Sequence, residues 1–466
     1  MKIYTVDALA GSGKTRKAIN YSLAQAALGV KIALVQPSTV LIDQTRENLE
    51  KRNTNHVQIR KLHSECVSGQ VKDKIQDHLR AAAPGVGEIL LITHQSFLSL
   101  PYWHNAKDWM IIIDEIPQCL ASWSAKLPVN HSTFTSHVVL HASENNYAFL
   151  SIKQGSEAEV QRMAECKYSD DQDKLYQDVC DKLHNYNTWD TYAQVDSWNK
   201  VVNGAEMGQQ SLTIYSLLRP QSFAQYKSVT IMGAMMTESV LYKLWSEHVE
   251  FQKHVAISAK LSGQTHANGH LLTVKYMFEN DWSKTFRDSN IDGQSIQGAV
   301  KTKVEELMDG QRYIYATNND DKTGLDFGTR VPNVCHGLNK YVKVHNAVFM
   351  SALNNKYADF GFMKANDVSP DELTRAQSHQ TMYQTIMRTS LRVADDTNPK
   401  TVLVMDKRSA DYLQRYFPGC SVEAIGMAEP GRKKAGRPKT GKAMTGAERQ
   451  RRRRDRLKAE SQSKGE

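Results

Sequence analysis

The opening stretch MKIYTVDALAGSGKT constrains this chain more than any other. Lys2 to Val6 (KIYTV) has Ile3, Tyr4 and Val6 suited to a pleated, buried surface and reads as a short β-strand. Ala8 to Thr15 (ALAGSGKT) follows as a tight glycine-rich loop, and Arg16 to Leu28 continues as a helix rich in Ala and Leu. Strand, Gly-Lys-Thr loop and helix, in that order, make a phosphate cradle. Gly11 and Gly13 let the backbone turn sharply, so that the segment Ala10, Gly11, Ser12, Gly13 aims its N–H groups at phosphate oxygens. Lys14 reaches the terminal phosphates, and the Thr15 hydroxyl is placed to ligate Mg²⁺. The helix N-terminus adds a fixed positive partial charge. The usual first glycine of GxxxxGK[ST] is here Ala8.

A second strand, Lys31 to Gln36 (KIALVQ), precedes Pro37-Ser38-Thr39 and a helix expected from about Val40 to Lys51. Glu88 to Thr93 (EILLIT) and Trp109 to Asp114 (WMIIID) are further apolar runs, the latter expected at the centre of a parallel sheet. Short apolar strands alternating with helices predict a doubly wound α/β domain. Asp114-Glu115 ends the WMIIID strand, and ligands gather at that end of such sheets. Asp114 is therefore the expected second Mg²⁺ residue and Glu115 the expected base that activates water.

Residues of about 120–225 break the pattern. They are polar, helix-prone in places and carry Trp123, Trp189 and Trp198, which predicts a mainly helical inserted subdomain with the tryptophans in its local core. Strands resume at Lys227 to Met232. A second α/β set follows at about 270–277, 312–317, 346–352 and 401–405, with helices near 298–309 and 371–393. The length predicts two to three domains. The boundaries read as 1–250 for the first, including the insertion, 251–428 for the second, and 429–466 for a tail.

The chain has 466 residues and a formal charge of +9. Residues 429–466 hold 14 Lys+Arg against 5 Asp+Glu, and the rest holds 45 of each, so the excess lies wholly in the tail. Such asymmetry predicts a basic arm for an anionic polymer. Gly436-Arg437-Pro438 resembles the core of an element that lies in the A·T minor groove. A capping box, Thr445 to Glu448, precedes a helix expected through Arg451, Arg452, Arg453 and Arg454, whose charges repel unless phosphates neutralise them. Six cysteines lie far apart with no CxxC pair, which predicts reduced thiols and no zinc site. No apolar run reaches membrane-spanning length, and no targeting peptide is expected before the first strand. A cytoplasmic location, in a bacterial host cell, is the expectation.

Taken in order, these pieces resemble the superfamily 2 DExD/H-type helicases, above all those of phages and plasmids. The resemblance covers most of residues 1–410 outside the insertion. Ala8–Thr15 is similar to motif I, and Asp114-Glu115-Ile116-Pro117 to motif II. Gln36-Pro37-Ser38-Thr39 is similar to motif Ia, and Thr93-His94-Gln95 falls where motif Ib lies. Thr230 to Met236 takes the place of motif III, with Gly233 and Met235 where the family has hydroxyl residues. His336-Gly337-Leu338-Asn339 resembles motif V. Gln384 to Arg392 resembles motif VI (QxxGRxxR), with Met387 in place of the glycine and Arg392 one residue late.

The resemblance implies two RecA-like parallel-sheet domains with ATP and Mg²⁺ in the cleft between them, and a helicase or translocase that hydrolyses ATP. It implies nucleotide contact at Gly337, nucleic-acid contacts at Pro37, Ser38, Thr39, Thr93 and His94, and arginine fingers at Arg388 and Arg392. Those two arginines, four apart, would share a face of the expected helix. Gln384 would orient water or phosphate. DNA is the expected polymer, in phage or plasmid replication or recombination, with replication proteins as further partners. Two other readings stay open: a phage DNA-packaging motor ATPase, and a non-enzymatic DNA-binding replication accessory protein with a degenerate ATPase core.

Overall fold

The computed structural model describes residues 1–429 except 67–69, 128–130, 144–145, 167–170, 204–209, 262, 292, 334–339 and 354–356. The motif around His336–Asn339, with Gly337, and the tail arginines Arg437 and Arg451–Arg454 lie outside the described residues.

The chain opens with β1 (Lys2–Asp7), β2 (Lys31–Gln36), β3 (Gln58–Lys61), β4 (Glu88–Thr93) and β5 (Trp109–Asp114), joined through α1 (Lys14–Ala27), α2 (Thr39–Glu50), α3 (Val71–Ala81) and α4 (His94–Leu98). It then leaves this layer for β6 (Leu120–Leu127), β7 (Val138–Leu140), β8 (Tyr147–Ile152), β9 (Trp189–Gln194) and β10 (Gln210–Leu218), interspersed with α5 (Ser132–Thr135), α6 (Glu157–Glu165), α7 (Asp171–His184) and α8 (Val195–Asn203). It returns as β11 (Ser228–Gly233) and β12 (Glu250–Lys253). The first sheet has the order β12-β1-β11-β5-β2-β4-β3, parallel throughout.

Helices cover both faces of this sheet, so its central strands are apolar on both sides. All six residues of β2 are buried, and the side chains of β5 fill cores on both faces of the sheet. Register does the next step. Asp7 pairs with Gly233, Met232 with Asp114, and Val35 with Ile113. The loops after β1, β11, β5 and β2 therefore open at one edge.

β13 (Leu272–Phe278), the small hairpin β14 (Asn290–Ile291) and β15 (Gln294–Ser295), then β16 (Tyr313–Ala316), β17 (Gly328–Arg330), β18 (Asn346–Phe349), β19 (Lys400–Asp406) and β20 (Ser421–Ala424) make up the second half. Its sheet, β17-β16-β18-β19-β13-β20, is also parallel.

Three expectations need correction. The insertion is not mainly helical: among its described residues five antiparallel strands, β6-β10-β9-β8-β7, stand beside four helices. The strand signal in β6 (LASWSAKL) is an alternation that leaves Ser and Lys outward, and polar outer faces hide a one-sided sheet from an apolar-run reading. Trp189 and Trp198 are buried, and the Trp123 indole donates to Leu175 O at 2.9 Å, so these rings belong to local core. The first sheet also gains the edge strands β3 (QIRK) and β12 (EFQK), too short and polar to stand out.

The third correction concerns the helix expected over 371–393. It is three pieces: Pro370–Thr374 behind a Ser369/Glu372 capping box, a wide π turn over Arg375–His379, and Gln380–Ile386. The last ends because the Thr389 hydroxyl turns back to Ile386 O and then accepts from Leu391 N. Arg388 and Arg392 therefore do not share a helix face.

The second half also reaches across. Phe362, on the helix Tyr357–Lys364, stacks on Tyr215 of the insertion at 4.1 Å between ring centres. Lys243 pairs with Glu372 at 2.8 Å, and this ammonium with the Ser369 hydroxyl holds the Glu372 carboxyl down at about 2. Among the described residues Cys66, Cys119, Cys166, Cys180 and Cys420 are free, no cluster of three or more His, Cys, Asp or Glu is placed to hold a metal, and no helix is long and apolar enough to cross a membrane.

Burial holds His266 and His379 at about 4, His379 with help from Arg408. An unfolded histidine titrates near 6.5. Between about 4 and 6.5 the unfolded chain binds the extra protons, so these two residues subtract stability as pH falls through that window. His379→Gln should flatten the fall in denaturation midpoint between pH 7.5 and 5 relative to wild type. Parallel curves for the two proteins would show that His379 titrates alike in both states.

Candidate functional site

The loop after β1 has the shape its glycines allow. Gly11 and Gly13 sit at φ +84° and +90°, where a side chain is strained. Gly13 is also the residue before α1 and lacks a side-chain cap, leaving the helix N-terminus to whatever enters the loop. Lys14 folds back, its Nζ donating to Ala8 O at 2.6 Å and Leu9 O at 3.1 Å. The ammonium is buried, which pulls its pKa down. The Glu115, Asp114 and Asp7 carboxylates oppose that shift. Among the described residues the buried Ser12 Oγ has no hydrogen-bond partner.

At the end of β5, Asp114 Oδ2 accepts from Thr15 Oγ1 at 2.8 Å and from Gln36 Nε2 at 3.2 Å. Burial, then the neighbouring Glu115 charge, push its carboxyl up from the ordinary value. Asp7 ends β1 two strands away and is exposed, though partial desolvation raises its carboxyl too. A buried carboxylate that resists ionising, as Asp114 does, favours a cation arriving beside it. Glu115 itself has φ +70°, a left-handed backbone that costs a non-glycine residue about 1–3 kcal/mol. The turn aims it into the cleft. Gly233 is what lets the Asp114–Pro117 segment sit there: a Cβ on it would lie 2.5 Å from Ile116 Cγ1.

From the second half of the chain, on the helix Gln380–Ile386 and the turns after it, come Gln384, Met387, Arg388 and Arg392. With Ala10, Gly11, Gly13, Lys14, Thr15, Asp114 and Glu115 they line one cleft of about 270 Å³, continued by Arg16, Gln44, Asn48 and Arg52 along α1 and α2. A Cβ on Gly11 would lie 3.1 Å from both the Cβ and the carbonyl oxygen of Arg392, so loop and arginine segment are in close approach. Burial, then the charge of Arg388, hold the Arg392 guanidinium below its usual value. Two guanidinium groups that repel each other beside a ring of loop N–H groups are suited to an anion.

The residues expected to touch nucleic acid have local tasks. Ser38 caps α2, Thr93 caps α4, and Thr39 Oγ1 donates to Glu65. His94 Nε2 bonds the Asp114 carbonyl at 3.0 Å. Pro37 and His94 also line a larger cavity, about 1,260 Å³, between the first sheet and α6 and α7 of the insertion. Glu115 borders both cavities. Sequence reasoning missed Tyr383, whose hydroxyl accepts from Ala10 N at 3.0 Å across 373 residues of chain. Nothing local marks such a residue beyond its place before Gln384. Gln36, which opens the stretch similar to motif Ia, has its side chain buried on Thr45 and Asp114.

No protein-family model and no curated protein matches this chain. Solved structures that overlay on it include one named XPD helicase, 11% identical, covering 91% of this chain and 96% of that one at a TM-score of 0.48. Another is S. cerevisiae Dbp5 bound to RNA and ADP BeF3, 10% identical, covering 91% and 85% at 0.39. A third is arterivirus nonstructural protein 10, a helicase with DNA, 10% identical, covering 89% and 63% at 0.28. Each TM-score lies below 0.5, and the functional reading below rests on the geometry of the site itself.

Proposed function

We propose that this chain is an ATP-dependent nucleic-acid helicase or translocase acting on DNA. The observation that carries the reading is the meeting in one cleft of Lys14, Thr15, Asp114 and Glu115 from the first sheet with Gln384, Arg388 and Arg392 from the second.

The phosphates lie in the loop of Ala10 to Thr15, held by its N–H groups and the start of α1. Lys14 then leaves the carbonyl oxygens of Ala8 and Leu9 for a phosphate oxygen. Thr15 and Asp114 present hard oxygen atoms side by side and fit Mg²⁺, which takes one or two protein oxygens plus phosphates. When bound there, that ion would offset the negative charge that develops on the phosphates. Glu115 takes the proton of the water that attacks the γ-phosphorus, and ADP departs as the bond to its β-phosphate oxygen breaks. Arg388 and Arg392 stabilise the charge on the transferring group, and Gln384 orients water or phosphate. Because the groups come from two sheets, each cycle of occupancy and release changes how the sheets meet, which is a stepping motion. The basic tail on a neutral body supports a polyanion partner, whose strand runs past Pro37–Thr39 and Thr93–His94.

Glu115→Gln keeps shape and hydrogen bonding but removes the base. It should bind ATP near normally, hydrolyse it about 10²–10⁴-fold more slowly, and stay on the nucleic acid. Hydrolysis is measured with and without single-stranded DNA or RNA, alongside strand displacement. Hydrolysis indifferent to both polymers, with no displacement, would remove the helicase reading. A wild-type rate in Glu115→Gln would remove Glu115 as the base.

A further inference from the structure

The segment that links the two sheets, described over residues 254–261 and 263–271, is tied to the first half where His254 N donates to Thr5 O at 2.9 Å and to the second half through His266. His266 is anchored in the second half: its N–H donates to Tyr416 O at 2.8 Å and its ring stacks on Phe417 at 4.5 Å. Its Nε2 lies 2.8 Å from the Tyr383 hydroxyl. Two residues on, Asn268 is buried and donates from Nδ2 to Leu391 O at 3.0 Å, beside Arg392. Tyr383 in turn holds the Ala10 amide at 3.0 Å.

The donors and acceptors fit in one way that uses each atom once. Ala10 N–H can only donate, so the Tyr383 oxygen accepts it. The hydroxyl proton then goes to the lone pair of His266 Nε2, and burial, which lowers the His266 pKa to about 4, keeps the ring neutral near pH 7 for that role. We infer that His266 and Tyr383 form a latch across the cleft, through which the connecting segment sets the shape of the phosphate loop and the approach of Arg388 and Arg392 to it. This rests on the ATPase reading for its effect on rate, but the latch itself is a property of the chain alone. Both are positioning residues. The place that family motif III fills with hydroxyl residues holds Gly233 and Met235 here, and further contacts bridge the same seam: Gln380 Nε2 to Met235 O at 3.3 Å, and the Tyr412 hydroxyl to Glu238 Oε2 at 3.2 Å.

Tyr383→Phe removes both bonds and keeps the buried ring, so the fold should survive it. Two measurements on the full chain decide. The first is amide exchange without nucleotide. Peptides covering Ala8–Lys14 should exchange about tenfold faster in Tyr383→Phe, the scale of one lost hydrogen bond, while those covering β2 keep the wild-type rate. The second is steady-state hydrolysis: kcat should fall by about tenfold with KM changed less than about threefold, because one bond that orients the loop is lost. His266→Phe should reproduce both effects, and the double variant should be no worse than either single one. Unchanged exchange in the loop, or effects of the two substitutions that simply add, would overturn the latch. If the wild-type chain hydrolyses no nucleotide, the ATPase reading fails while the exchange result still decides the latch.

Discussion

Replacing Lys14 with alanine is expected to stop ATP hydrolysis while leaving the fold in place. A loop ammonium would ordinarily be exposed, yet here it is buried against Ala8 O and Leu9 O. Its loss strands two carbonyl oxygens, a cost of about 1–3 kcal/mol if water does not reach them. Removing a desolvated charge offsets part of that cost. Thermal unfolding should therefore shift by a few degrees at most. The rate should fall by at least about 10²–10³-fold, because a charge aimed at the developing negative charge of the transition state is gone. Turnover assays beside circular dichroism melts separate the two effects. Wild-type turnover in a folded Lys14→Ala protein would remove the phosphate-site assignment.

Arg388→Ala should have the larger effect on rate and the smaller one on binding. Arg388 lines the cleft opposite the phosphate loop, and in the proposed reaction it would meet the transferring group as charge develops. Fingers of this kind contribute about 10³–10⁵ in rate, whereas ATP affinity should stay within about tenfold. Arg388→Lys should not restore the rate, since a point charge lacks the planar fork. Arg392→Ala should fall in the same direction, as both residues line the cleft. The loss does not depend on a shared helix face, because the chain turns at Met387 and Thr389. Full activity in both alanine variants would remove the second sheet from the chemistry.

Much of the site was legible because its parts are local. A strand of Ile3, Tyr4 and Val6 running into Gly11, Gly13, Lys14 and Thr15 is specified by backbone sterics and apolar pattern within a few residues. The same holds for WMIIID running into Asp114 and Glu115. That both loops open at one edge follows from parallel pairing. Less local features were harder to read. The β6 alternation was hidden by its polar outer face, and the end of the Gln380–Ile386 helix depends on the Thr389 hydroxyl rather than on a proline or glycine.

The sequence by itself therefore determined two parallel α/β layers and the chemical groups of the proposed phosphate site. Tertiary structure alone decided the left-handed turn at Glu115, the approach of Gly11 to Arg392, the Tyr383–Ala10 bond and the seating of Phe362 on Tyr215. The physical reason is range. Propensity and periodicity act over one or two turns of chain, while the contacts of Gly11, Tyr383 and Phe362 join segments more than a hundred residues apart, and the turn at Glu115 packs on Gly233 only once the register of β1, β11 and β5 is set.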